Sequence, residues 1–482
     1  MMQVAFTAFL YFFLYKYLKE TLGVEQLGVW SLILSFSSIA NLGNMGLTSG
    51  LVKFVAEYIA ENKDEKIGKL ILTAFISLII LFFLISCLIL WFADLLLPYA
   101  IDQKEFLPLA FSILPFSLAS LSINSVSGVF TSVLEGYQKN YIRNFIYIIS
   151  NVVMFAGTLL LTPVFQLKGV AIAQVFQSFF ILITSLILMI RLNSFNRFNY
   201  WRWSNESFKE LFNYGYKFQA VSFCQLLYEP TTKFLLGKYG GMSMLGYYEY
   251  ASRLVNQFRA LLSNANQVVI PVIAETVKTK SRSYLRDFYA RMNRILLILA
   301  LPLSTFVIVL APFISKVWIG EVNADFTFSI YVLTISSIFN IMCGPAYFSC
   351  MGEGRLSLLV VVHSLMAVLN LGIGYLLGPY FGGYGIIIGW GLALTIGSVI
   401  LTFLYNKRIN INFSQIFTNN DRWIILISAF IIMAVIVYFS ANLNSYSVYI
   451  NTLVCCLLFV LYIPVLIKND GFKSFILKIS RR

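Results

Sequence analysis

The run "ILTAFISLIILFFLISCLILWF", Ile71 to Phe92, holds twenty-two residues and no charge. At about 1.5 Å per residue, a helix of that length crosses the roughly 30 Å hydrocarbon core of a bilayer. Similar runs recur along the chain, and fourteen are legible. They lie at about 2–18, 27–50, 68–92, 107–134, 142–162, 168–190, 214–237, 245–272, 295–317, 326–350, 356–378, 383–405, 423–441 and 446–467. Of the 482 residues, 59% are hydrophobic and 12% charged, and the mean hydropathy is +0.80. A soluble fold of this size cannot bury so much apolar surface, so the expectation is an all-α integral membrane protein of about 14 transmembrane helices. The first span is short and begins almost at Met1. No basic segment precedes it and no small-residue cleavage site follows, so it reads as a span that is truncated or starts upstream, not as a cleaved leader.

The net charge of +14 would suit nucleic acid, but its distribution argues against such a partner. With the amino terminus inside, 26 of the 35 Lys and Arg fall in inner loops or the tail. Six lie at or near the outer face (Lys16, Lys19, Lys104, Lys168, Lys238 and Lys316), and Lys233, Arg253 and Arg259 fall within spans. That asymmetry follows the positive-inside rule and predicts an even span count with both termini cytoplasmic. The basic tail "KSFILKISRR" is expected to rest against anionic membrane lipid. All six cysteines lie in apolar spans without a C-x-x-C pair, and His363 is the single histidine. A packing role for the cysteines and a buried, hydrogen-bonded role for His363 follow, with no metal site and no cofactor expected.

The longest polar stretch is "RLNSFNRFNYWRWSNESFKELFNYG", Arg191 to Gly215. Its aromatic and basic mix suits an interfacial segment, and it divides six spans from the next six. The two sides resemble each other. "FTSVLEG" (Phe130–Gly136) matches "FSCMGEG" (Phe348–Gly354), and "LGVW" (Leu27–Trp30) matches "LGYY" (Leu245–Tyr248), both at an offset of 218. "PVFQLKG" (Pro163–Gly169) matches "PYFGGYG" (Pro379–Gly385) at 216. Three matches in order at nearly one offset indicate an internal repeat, and an even number of spans per unit makes it a parallel one. The expected organisation is an N-lobe over 1–190, a linker over 191–213, a C-lobe over 214–406, and two extra helices with a basic tail over 407–482.

Span 8 carries its polar residues on one side. At about 100° per residue, Glu249, Arg253, Asn256, Gln257, Asn264 and Gln267 cluster, with Ser252, Arg259, Ser263 and Asn266 extending the arc. Ala251, Leu254, Val255, Phe258, Leu261 and Leu262 hold the opposite arc. A span so divided cannot face lipid all round; it lines a wet cavity or the bundle interior. Span 4 has a milder stripe that includes Asn124, and span 2 one that includes Asn41, so a cavity between two lobes is expected. Glu229 and Lys233 stand four apart with the acid first, as do Glu249 and Arg253, so each pair can neutralise itself locally. Arg259 has no acid at three or four residues along the helix, which leaves a ligand, or an acid on another helix such as Glu135, as its compensation.

"LGVEQLGVWSLILSFSSIANLGNMGLTSGLVKFVAEY", "LEGYQKNYIRN" and "GKYGGMSMLGYYEYASRLVNQFRALLSNANQVVIPVIAE" resemble the polysaccharide-transport branch of the multidrug/oligosaccharidyl-lipid/polysaccharide flippase superfamily. O-antigen flippases are its best-known members. The resemblance implies two six-helix lobes, a central cavity, alternating access in a bacterial inner membrane and a polyprenyl-diphosphate-linked oligosaccharide as cargo. Other membrane proteins of polysaccharide assembly are implied partners. It also implies cavity cations for the diphosphate, a character that falls on Arg253, Arg259 and Lys233. Asn256, Gln257, Asn264, Gln267, Asn124 and Asn41 suit sugar hydroxyls, and Glu229 and Glu249 are candidates for ion coupling. The chain departs from the pattern at its short first span, which puts any functional residue there in doubt. A cation or drug exporter of the same architecture would need unpaired cavity acids, whereas Glu229 and Glu249 have basic partners nearby. A polymerase or glycosyltransferase would need a large loop with paired carboxylates or a phosphate-binding loop, and "GEG" (Gly352–Gly354) is too short to be one.

Overall fold

A computed structural model describes residues 2–39, 44–192, 200–214, 228–267, 282–417, 419–441, 460 and 462. Every element of regular structure among them is helical. Spans 1 to 6 appear as α1 (Met2–Leu22), α2 (Val24–Ile39), α3 (Asn44–Ala60), α4 (Asp64–Ala100), α5 (Leu107–Gly136), α6 (Asn140–Phe165) and α7 (Leu167–Leu192), with span 2 contributing both α2 and α3. A short helix, α8 (205–214), lies in the linker. Then come α9 (Tyr228–Tyr239), α10 (Gly241–Gln267), α11 (Arg282–Trp318), α12 (Ala324–Met342), α13 (Gly344–Gly352), α14 (Leu356–Ile409), α15 (Phe413–Ile416) and α16 (Asn419–Ala441). Most of span 14 lies outside the described residues.

Eight of these helices are long and apolar enough to cross a membrane. One of the eight, α14, runs for 54 residues and holds both span 11 and span 12, with a kink at Gly382 between them. The chain is an all-α membrane protein. Helix ends follow local chemistry. Asp64 and Glu65 open α4, where carboxylates complement the N-terminal dipole. Asn323 caps α12 by accepting from the Phe326 N–H at 3.0 Å. Pro345 separates α13 from α12, because its ring cannot continue the preceding helix.

The chain divides into two compact units, Met1–Gly246 and Tyr247–Arg482. In the first, α5 packs along α7 and against α3 and α4, while α6 packs along α7. Leu51, Val55, Leu70, Ile71, Val129, Phe130 and Val133 are central to its core. The described helix of span 7, α9, packs on α2 and α4 in this unit. In the second, α11, α12 and α14 pack in series, and α16 lies along α11.

The repeat is visible in the backbone. Helices α4 and α11 have 37 residues each and begin and end 218 positions apart. Gln166, between α6 and α7, has φ 51° and ψ −135°; Gly382, 216 positions later, has φ 56° and ψ −141°. Three residues beyond each lies a glycine against the preceding helix: a Cβ on Gly169 would sit 2.5 Å from the Leu161 carbonyl oxygen, and one on Gly385 would sit 2.6 Å from that of Leu377. The turns after α5 and α13 also correspond at 216, since Gln138 and Gly354 both have positive φ and Lys139 and Arg355 bond back to Leu134 and Cys350. The sequence match of Glu135 with Glu353 is therefore two residues out of structural register.

Within the first unit, α2 meets the first turns of α10 at a reciprocal crossing. A Cβ on Gly28 would fall 2.0 Å from the Met242 carbonyl oxygen, and one on Gly246 would fall 2.3 Å from that of Val24. Both contacts are with backbone, which no rotamer change can move, and the partners are again 218 apart.

The backbone at Gln166 lies where only glycine rests without strain, of order 1–3 kcal/mol for another residue. Gln166→Gly is expected to raise the unfolding temperature of the detergent-solubilised protein, and Gly382→Gln to lower it. Thermal unfolding of the two variants beside the parent checks both signs.

Candidate functional site

Helix α10 divides only in part as its sequence predicts, since Glu249 and Ser252 of the polar arc are buried and Leu254 of the apolar arc is half-buried. Ala251 and Val255 are buried, and Leu262 packs with Leu296, Ala300 and Ile341 from α11 and α12, with Phe258 partly buried beside them. The other side is more open: Asn256 is exposed, while Arg253, Gln257 and Arg259 are half-buried. Asn264 and Gln267 lie on the last turns of the same helix. Asn124 is exposed on α5 in the first unit, and Asn41 lies outside the described residues.

Both i,i+4 pairs form. Lys233 Nζ lies 2.6 Å from Glu229 Oε1 on α9, and Arg253 Nε donates to Glu249 Oε1 at 2.7 Å on α10. Their burial is opposite. On α9 the cation is enclosed, with 2% of the Lys233 side chain exposed against 54% of Glu229. On α10 the anion is enclosed, with 1% of Glu249 exposed against 37% of Arg253. A buried charge without a counter-ion costs several kcal/mol, and the outward partner offsets part of that cost for each enclosed member.

Arg259 acts electrostatically on His363 of α14, within the second unit. The His363 ring is buried and meets Tyr347 of α13 edge to face, 5.8 Å between centroids. This neighbour escapes sequence reasoning, because it sits on a distant helix and has no spacing signature. Glu135, the acid considered for Arg259, is instead bonded to Arg143 within the first unit. A second feature without a sequence signal is Gln103, whose Oε1 accepts from Met242 N at 3.1 Å in the first turn of α10. It satisfies one of the open N–H groups there.

Residues 21–327, more than half of the chain, match the family model described as polysaccharide biosynthesis protein. The chain belongs to that family. It is 21% identical to a candidate O-antigen transporter of Shigella flexneri over 415 residues, covering 82% of this chain and 93% of the relative. Among solved structures it resembles the lipid II flippase MurJ in an inward closed conformation, with a TM-score of 0.72, 15% identity, and 100% of this chain and 99% of MurJ covered. It also resembles an inward-facing multidrug resistance transporter of the MATE family in the MOP superfamily, with a TM-score of 0.71, 17% identity and coverage of 84% and 94%. At these identities the structural likeness establishes a shared fold, that of MOP-superfamily transporters.

Within that fold the two pairs have unequal chemical freedom. Lys233 is enclosed and its carboxylate partner Glu229 exposed, whereas Arg253 is half-buried and its partner Glu249 enclosed. Removing the Arg253 side chain takes from the buried Glu249 carboxylate the charge-assisted bond that Arg253 Nε donates at 2.7 Å. Arg253→Ala is expected to lower the unfolding temperature, and Arg253→Ala with Glu249→Ala to regain part of the loss. A double-mutant cycle by thermal unfolding measures the coupling, and additive effects would show that the pair contributes nothing.

Proposed function

We propose that the protein is a flippase that moves polyprenyl-diphosphate-linked oligosaccharide from the cytoplasmic to the outer leaflet, for cell-surface polysaccharide such as O-antigen. The family match over residues 21–327 carries this reading. The fold shared with a lipid II flippase supports a lipid-linked cargo. The protein acts in a bacterial inner membrane with both termini cytoplasmic, as the loop-charge asymmetry favours. Its moving parts are the lobes 1–190 and 214–406, joined by the linker 191–213, with 407–482 outside the repeat, and transport proceeds by alternating access.

The open side of α10 supplies the chemistry. Guanidinium groups bind phosphate oxygens bidentately, and in a low-dielectric setting such bonds are strong. Arg253 and Arg259 hold the diphosphate, with Lys233 as a third cation when Glu229 releases it. Asn256, Gln257, Asn264 and Gln267 offer the amide donors and acceptors that sugar hydroxyls require, with Asn124 and Asn41 as further sugar contacts. Protonation of Glu229 or Glu249 would free its basic partner for the cargo, which makes these acids the candidates for ion coupling. Against a cation exporter stands the pairing of both acids with Lys233 and Arg253. Translocation breaks no covalent bond, so the proposed activity is transport and not catalysis.

Arg259 tests the reading. Arg259→Ala is expected to abolish surface polysaccharide export while the protein keeps its normal abundance in the membrane. Arg259→Lys should retain part of the activity, since an ammonium keeps the charge and loses the planar fork. Normal export by the alanine variant at normal abundance would remove Arg259 from the cargo site. Loss of the protein itself would assign Arg259 a structural role.

A further inference from the structure

The linker segment has a geometry that transport chemistry does not use. Its backbone is pinned to the start of α4: Ser204 N donates to Thr73 Oγ1 at 3.0 Å, and a Cβ on Gly68 would lie 2.9 Å from Tyr200 Cβ. Thr73 is four residues past Lys69, the last charge before the apolar run, so the segment sits about 6 Å inside the apolar part of α4 at the standard helical rise. From there α8 is clamped to α3. Leu211 is fully buried and lies against Gly50; the Tyr58 hydroxyl donates to the Glu210 carboxylate, at 2.7 and 2.6 Å from its two oxygens; and Lys53 sits 4.8 Å from the Tyr214 ring centroid. Burial and the Glu210 carboxylate push the Tyr58 phenol well above its usual range, so it remains a donor.

That clamp fixes three sectors around α8 at about 100° per residue. Ser207, Glu210, Leu211 and Tyr214 face the protein. Phe208 and Phe212 form the next sector, exposed by 37% and 55%, with their rings stacked 6.0 Å apart. Trp203, 44% exposed, extends the ladder by stacking on Phe208 at 5.8 Å, and its Nε1 donates to Asn205. Lys209 and Asn205 border the aromatic sector on its other side, while the exposed Glu206 lies farther round, away from the rings. Arg202, also exposed, precedes the ladder.

We infer that Trp203, Phe208 and Phe212 are inserted in the bilayer leaflet at the linker end of α4, with Lys209 and Arg202 at its anionic headgroups. Three aromatics level with the membrane edge, bordered by base and with the exposed acid Glu206 on the far side, fit an interfacial helix. Aromatic rings favour that depth, and basic side chains favour anionic lipid just outside it. A protein partner would be equally served by rings at any height on the molecule. The anchor stands independently of the proposed cargo. It fixes the chain between the two halves to α3 on one side and to lipid on the other.

The test uses the full-length protein, with its six cysteines replaced, in nanodiscs containing phosphatidylglycerol. An environment-sensitive fluorophore is attached at Phe212→Cys and, separately, at Glu206→Cys. Phospholipids brominated near the top of the acyl chain should quench the probe at 212 several-fold more than the probe at 206, and aqueous iodide should show the reverse order. Efficient iodide quenching at 212 would overturn the inference by leaving the ladder in water. Protection at 212 from both quenchers would also overturn it, assigning the face to a protein contact.

Discussion

The bilayer supplies no water at depth, and that lack governs where this chain can put charge. An ammonium or carboxylate held in hydrocarbon without a partner costs several kcal/mol, so each must bring its compensation with it. Glu229 with Lys233 and Glu249 with Arg253 do so on single helices, at the spacing that places side chains one above the other. A pair built within one helix stays intact when that helix moves against its neighbours. That property suits a protein whose fold is shared with transporters caught in different conformations.

Close packing of duplicated backbone is the second constraint. The links between α6 and α7 and within α14 use the same positive-φ residue followed three positions later by a glycine that touches the preceding helix. The crossing of α2 with α10 pairs Gly28 and Gly246 with each other's helix backbones. Side chains around these points have diverged until only short matches remain, but the positions that demand absence of a Cβ have been held. The exception, Gln166, accepts strain that its counterpart Gly382 avoids.

What could be read from the sequence depended on range. The apolar runs gave the membrane class and most helices, because twenty-odd uncharged residues have one economical solution in a bilayer. The division of α12 from α13 at Gly344 and Pro345 and the continuity of α14 across Gly382 are local backbone effects that hydropathy averages over. The ion pairs were legible because their partners are four residues apart. The neighbourhood of Arg259 was not: His363 lies on another helix, more than a hundred residues away, and periodicity within one helix carries no such information. The Glu135–Glu353 match shows the opposite hazard, identical residues falling side by side in a text alignment while the turns that hold them correspond two positions apart.

The central claim is that this protein translocates a finished lipid-linked oligosaccharide and does not build it. The most direct measurement is the length and leaflet of the lipid-linked intermediates in cells depleted of the protein, read with a membrane-impermeant reagent that modifies the sugar. The account predicts full-length lipid-linked units that accumulate and are shielded from the reagent, on the cytoplasmic side. Shortened or unassembled units, or full-length units freely modified at the outer face, would contradict it.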